Sequence, residues 1–331
     1  MTMAARRSNV SLTRLAPAVG DPVSSLWARL RRGVRYLRRQ ADWDRFAGAG
    51  WPDRVMTEPL TDREHRKQGR SIGRKVYADG RDTLSVYLKR HFRLPRLAGL
   101  LATLFPARAW SPGLQEWQRI CWAREQGFRV PRPVAAGQFL GPWCRLQGFL
   151  AVEELRGMLP LHEAVPRAAR ALDRATFARW KRGLAAELAR VTRELHLRRV
   201  FHKDLYFCHF YILESHTRTV PDGWTDQTVM IDLHRLAWHP VTGIWWQIKD
   251  LAQLLFSSDV EGVTARDRVR FWNLYRQGWP NGRAPGAWLK PLVKWKWRLY
   301  RDHNRRKPSA VPYGDAGTGL PDATPDRKKS A

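Results

Sequence analysis

The chain has 331 residues, 44% of them apolar, enough to bury a sizeable core and to exclude wholesale disorder. It is strongly basic, with 59 Lys and Arg against 30 Asp and Glu, a net charge of +29. Such a surface seeks polyanions: nucleic acid, an anionic membrane face or a phosphorylated substrate. Cys121, Cys144 and Cys208 form neither a disulfide framework nor a zinc pattern, which favours a reducing compartment.

Residues 1–22 read as irregular, broken by Pro17, Gly20 and Pro22. The first fifty residues carry ten Arg against three Asp, and no secretory signal is visible. Within them Leu26, Leu30, Val34 and Leu37 fall at helical spacing among Arg29, Arg31, Arg32, Arg35, Arg38 and Arg39. This predicts one basic amphipathic helix in an N-terminal extension, residues 1–50. It could lie on an anionic membrane, each Arg adding about 1 kcal/mol, or dock on the domain with a solvated basic face.

Residues 64–92 read as β-structure, with Asp79-Gly80 as a hairpin signal. Alternation places Leu84, Val86 and Leu88 on one face and Ser85, Tyr87 and Lys89 on the other. The apolar run 97–105 is too short to span a bilayer. A helix is predicted over 114–127, with Glu116 in its first turn, and two strands flank Gly141-Pro142. The predicted N-lobe, residues 51–155, is thus a small sheet with one helix.

The second lobe, residues 156–306, is predicted mainly helical. Phe177, Trp180, Leu184, Leu188, Val191 and Leu195 make a long apolar face, and further helices are expected at 244–258, 264–277 and 287–304. The stretch 287–301, "AWLKPLVKWKWRLYR", could sit at a membrane interface or pack its Trp residues on the lobe. Residues 307–331 read as a disordered tail.

Between these helices lies "FHKDLYFCHF" (201–210), followed by "TVMIDLHRL". Residues 201–250 are the only block of fifty with net negative charge, four Lys/Arg against six Asp/Glu. A knot of carboxylates in a basic protein points to a divalent cation beside an anionic substrate. A β-rich lobe followed by a helical one is the order of a bilobal, α+β protein-kinase-like fold. Phosphoryl transfer there rests on positioning and charge neutralisation. Lys89 is the candidate for the nucleotide phosphates, Glu116 for holding that lysine, Asp204 for the catalytic aspartate, and His209 and Asp232 for metal ligands. Taken singly, Lys89 reads as a solvated strand lysine, Glu116 as an ordinary helix-start glutamate, and His202 as interior filler. Asp232 stands apart, because a carboxylate directly after "TVMI" is costly unless paired or metal-bound.

At these residues the chain resembles the lipopolysaccharide core heptose kinases and the related Kdo kinases of Gram-negative bacteria. The resemblance rests on "HKDLYFCHFYI", "VMIDLHRL", "YLKRH", "QEW", the hinge-like "VEEL" containing Glu153, and "IKDLAQLLFSSDVEGVTARDRVRFWNLY". It implies ATP, Mg2+, an inner-core sugar on lipid A as acceptor, and a place at the cytoplasmic face of the inner membrane. A His at 209 fits the sugar kinases, where protein kinases carry Asn. Gly69 and Gly73 would supply only a thin glycine-rich loop without G-x-G-x-x-G spacing, and Lys203 stands for the usual Arg. Tyr87 replaces the small residue that protein kinases keep under adenine. Only 18 positions separate Asp232 from Asp250, read as a structural aspartate, which favours a compact acceptor over a docked polypeptide. Two other readings stand beside this one: a kinase acting on protein or another glycan, and a non-catalytic membrane-associated module. No nucleic-acid-binding motif is present.

Overall fold

Gly33 divides what periodicity predicts as one helix. In a computed structural model describing residues 25–65, 69–106, 108–279 and 284–306, α1 (Leu26–Arg32) stops at Gly33 and strand β1 (Val34–Arg39) follows. Gly33 has φ 75°, and a Cβ there would meet the Leu140 carbonyl oxygen at 2.1 Å. The chain must therefore turn at this point, and only glycine fits. β1 pairs antiparallel with β5 (Pro133–Gly141), so residues 34–39 belong to the lobe's sheet rather than to a separate extension. The irregular start and the tail from 307 lie outside the described residues.

The sheet has six strands in the order β1-β5-β6-β4-β3-β2, with β2 at Thr61–His65, β3 at Arg70–Asp79, β4 at Asp82–His91 and β6 at Arg145–Glu153. Asp79 pairs with Asp82, so the expected hairpin turns through Gly80 and Arg81, Gly80 taking φ 58°. Leu84, Val86 and Leu88 are buried on one face beneath α2 (Trp43–Ala47) and α3 (Trp51–Arg54). Trp43 packs edge-on against Trp51 at 5.7 Å and Tyr77 at 5.0 Å. Two helices beyond residue 91 complete the lobe, α4 (Arg96–Leu104) and α5 (Pro112–Glu125), of which the sequence predicts α5.

α5 covers the other sheet face. Ser111 caps it by accepting from the Leu114 N–H. Its approach is unusually close, since a Cβ on Gly113 would lie 2.2 Å from the Phe149 carbonyl oxygen. Because the helix begins at Pro112, Glu116 lies beyond the first turn, and it is buried.

The second lobe follows β7 (Met158–Pro160) with α6 (Leu161–Ala171) and the long α7 (Arg174–Leu197), then α8 (Gly243–Ser257), α9 (Ala265–Gln277) and α10 (Leu289–Arg306). Short pairs β8 (Val200–Phe201) with β11 (Ala237–Trp238), and β9 (Phe210–Leu213) with β10 (Val229–Met230), frame the connecting loops. An apolar cavity of about 420 Å3 lies among α7, α8, α9 and α10, and Phe207, from the loop between β8 and β9, is part of its lining. Among the described residues no helix is long and apolar enough to cross a membrane.

Candidate active site

Two loops and two N-lobe elements meet where the lobes face each other. Lys89, on the β4 face opposite the aliphatic set, extends toward α5 and places Nζ 2.8 Å from Glu116 Oε1. The same Nζ lies 3.1 Å from Asp232 Oδ1, which ties the sheet to the loop after β10. Burial alone would lower the lysine's pKa, but Glu116 and Asp232 outweigh it and hold the ammonium charged.

Asp232 takes a left-handed backbone, φ 60°, that aspartate tolerates better than most residues. Its Oδ1 accepts from Lys89 and from His234 Nδ1 at 2.9 Å, while its Oδ2 faces His209 Nε2 at 3.8 Å. Burial alone would raise its pKa, but Lys89, His234 and His209 hold the carboxyl well below the usual range. His209 Nδ1 lies 2.6 Å from the Asp204 carbonyl oxygen, which can only accept, so this nitrogen carries the proton. The other ring nitrogen, Nε2, is the one that faces Asp232 Oδ2.

Asp232 Oδ2 and His209 Nε2 are the side-chain atoms that could hold a cation between them. No group of three or more His, Cys, Asp or Glu gathers among the described residues. A cation on this pair would take the rest of its shell from phosphate oxygens and water, the usual habit of Mg2+. Asp232 offers the hard oxygen that Mg2+ prefers.

Asp204 sits in the loop after β8. Its carboxylate meets Arg235 Nη1 at 3.2 Å, Gln253 Nε2 at 3.4 Å and Lys249 Nζ at 3.8 Å. The loop is held from behind by Asp250, which is buried and accepts the backbone N–H groups of His202 at 2.9 Å and Lys203 at 2.8 Å. His202, also buried, completes the frame through Nε2, 3.0 Å from the Ile231 carbonyl oxygen. Both residues are scaffolding, as their sequence reading anticipates. Lys203 takes φ 66° and lays Nζ over the Trp246 ring at 4.8 Å.

Asp250→Asn removes a carboxylate that serves two buried amides. The variant is expected to lose about 3 kcal/mol of stability, measurable by urea unfolding, and to loosen the Asp204 loop. His91, buried at the end of β4, gives a pH signature. Burial, helped by Arg70, Lys89 and His234, pushes its imidazole down to about 4 from 6.5. A depressed histidine stays neutral in the fold while the unfolded chain takes up a proton. Stability is therefore full above pH 6.5 and declines as pH falls toward 4. Wild type should lose about 2–3 kcal/mol more than His91→Gln across that window in paired unfolding curves.

The remaining expected residues fall differently. Gly69 closes the turn before β3 with φ 75°, and residues 66–68 lie outside the described residues. Gly73 lies within β3, paired with Leu88. Glu153 ends β6 with its carboxylate on Arg132 Nε at 2.6 Å, and Arg132 also holds Asp42. Tyr87 pairs with Val152 on the neighbouring strand. Sequence reasoning missed His234, Arg235 and Lys249 as members of the site. The first two stand in the quoted "VMIDLHRL" and the third directly precedes Asp250, but only the fold brings them to the two aspartates.

Several known proteins similar to this chain are of one kind. Lipopolysaccharide core heptose(I) kinase WaaP of Pseudomonas aeruginosa is 35% identical over 161 residues, covering 49% of this chain and 58% of that protein. The corresponding kinase of Escherichia coli K12 is 31% identical over 165 residues, with the same shares. The chain thus spans 58% of the length of these curated relatives. A solved structure described as WaaP in complex with acyl carrier protein superposes with a TM-score of 0.55 at 27% identity, covering 82% of this chain and 97% of that one. Its likeness bears out the α+β, kinase-like architecture. A model of the lipopolysaccharide kinase (Kdo/WaaP) family matches residues 69–275, well over half of the sequence, and the chain belongs to that family.

Proposed function

We propose that the protein is an ATP-dependent kinase of the lipopolysaccharide inner core, phosphorylating a heptose or Kdo hydroxyl. The observation that carries this reading is the ion-paired chain Glu116–Lys89–Asp232, joined through His209 to the loop bearing Asp204. Lys89 orients the nucleotide phosphates, with Glu116 fixing its ammonium. Asp204 orients the acceptor hydroxyl and takes its proton as oxygen bonds to the γ-phosphorus and ADP leaves. Asp232 Oδ2 and His209 Nε2 would hold Mg2+, which when bound neutralises phosphate charge. His209 could alternatively touch a phosphate oxygen directly. Arg235 and Lys249, beside Asp204, would steady an anionic acceptor or the transferred group. Gly69, Gly73 and the Glu153 backbone are assigned to the nucleotide on the family resemblance alone.

A compact acceptor suits the short connection after Asp232. Before α8 begins, it holds only a tight turn at Leu233–Arg235 and the two-residue β11. That leaves no platform for a docked polypeptide. The solved WaaP relative was captured with acyl carrier protein. In this chain the apolar cavity among α7–α10, whose lining includes Lys290, Lys294 and Arg298, would be the seat for a partner of that kind.

Mass spectrometry of lipid A–core from a strain lacking the gene tests the proposal. One phosphate should disappear from an inner-core sugar and return on complementation. An unchanged phosphate pattern would sink it.

A further inference from the structure

The first lobe carries an apolar face that its own core does not use. α1, α4 and the turn between β5 and β6, residues 142–144, pack against one another. Their union depends on two glycines. A Cβ on Gly33 would strike the Leu140 carbonyl, and one on Gly99 would lie 1.8 Å from the Cys144 carbonyl oxygen. Beneath them Ala102, Leu140 and Leu146 form a small buried cluster.

Their outward side is apolar as well. Leu97, Leu100 and Leu104 make a stripe along α4, continued by Phe105, with Trp27 on α1 beside it. Trp143 is 76% exposed, set there by two consecutive non-glycine residues in the left-handed region, Trp143 at φ 57° and Cys144 at φ 63°. Backbone strain that turns a tryptophan toward solvent does not serve the core.

The charge around these tips has one sign. Residues 25–33, 92–110 and 141–147 contain no Asp or Glu. They do present Arg31, Arg32, Arg93, Arg96, Arg108 and Arg145, all exposed, none with an acidic partner among the described residues. Two such faces would repel, which disfavours a second copy. The chain's first 24 residues hold three Arg and one Asp, and they too lack the complementary charge. Protruding Trp and Leu ringed by arginine match the boundary between anionic headgroups and acyl chains.

We propose that this face docks peripherally on an anionic lipid bilayer, with Trp27, Leu97, Leu100, Phe105 and Trp143 entering the headgroup–acyl boundary. Its place in the fold fits a lipid-linked acceptor. On β6, Glu153 at one end pairs with Val86, whereas Gly148 toward the other pairs with His91, two residues past Lys89. The docking face lies at the His91 end, so the bilayer would approach the site from the side opposite Glu153. That advantage rests on the kinase reading, but lipid binding itself needs no turnover.

The test is co-sedimentation of the full chain with vesicles of phosphatidylcholine alone, or with phosphatidylglycerol as the minor component. The parent should bind the anionic vesicles and only weakly the neutral ones. Arg31→Gln/Arg96→Gln/Arg145→Gln alters exposed side chains only and should weaken anionic binding on the order of a hundredfold. Trp27→Ala/Leu97→Ala/Trp143→Ala should weaken it on the order of tenfold or more, with an unchanged thermal midpoint. Variants that bind like the parent would overturn the proposal. So would a parent that ignores anionic lipid, or one that binds an acidic protein through this face and no vesicle. Vesicle binding without phosphotransfer would instead count against the kinase reading alone.

Discussion

Asp204→Asn is expected to lower phosphate transfer by about 10^2–10^4-fold, with the KM for ATP nearly unchanged. Asparagine keeps the side chain's shape and can still accept from Gln253, which lies 3.4 Å away in the wild type. It can neither take a proton from the acceptor hydroxyl nor present the charge that orients it. The stability cost should be small. Arg235 is 47% exposed and recovers water when its partner is neutralised, so the lost ion pair is worth at most about 1 kcal/mol. A steady-state assay beside a thermal melt separates the two effects. A catalytic loss that tracked a loss of fold would remove Asp204 from the chemistry.

Asp232→Asn should be as severe and differ in kind. Activity is expected to drop by about 10^3-fold, with a raised Mg2+ requirement, because on the proposed mechanism Oδ2, which faces His209, would be the hard ligand. Asparagine also tolerates the left-handed backbone of this position, so the loop keeps its course. Lys89 keeps Glu116 at 2.8 Å, and the variant should therefore lose only about 1–2 kcal/mol, less than an orphaned buried charge would cost. That share is pH-dependent in the wild type. A carboxyl depressed in the fold stabilises above its unfolded pKa of 3.8, and the contribution is lost as pH falls through the lower folded value. Wild type and variant should therefore converge in stability at strongly acidic pH, as unfolding curves in acid would show.

Much of this site was legible because its chemistry stands next to short apolar runs. Asp232 after "VMI" and the Asp204–His209 spacing are local features, and Lys89 is fixed on its face by strand alternation alone. What escaped was tertiary. Residues 34–39 carry apolar side chains at positions compatible with both a helix and a strand, and the decision came from β5, a hundred residues away. Only the positive φ at Gly33 marked the break locally. Glu116 read as a helix-start glutamate because the helix was begun two residues late; Ser111-Pro112 was the missed start signal. Arg235 and Lys249 read as ordinary cations in sequence. They join Asp204 only because the turn before β11 carries Arg235, and helix α8 carries Lys249, beside it.

The most direct test is transfer of label from γ-labelled ATP, with Mg2+, to lipopolysaccharide from a strain lacking its inner-core kinase. The purified chain should place label on a core sugar, and Asp204→Asn should leave the lipopolysaccharide near background. Label appearing only in protein, or equal labelling by wild type and Asp204→Asn, would contradict the assignment.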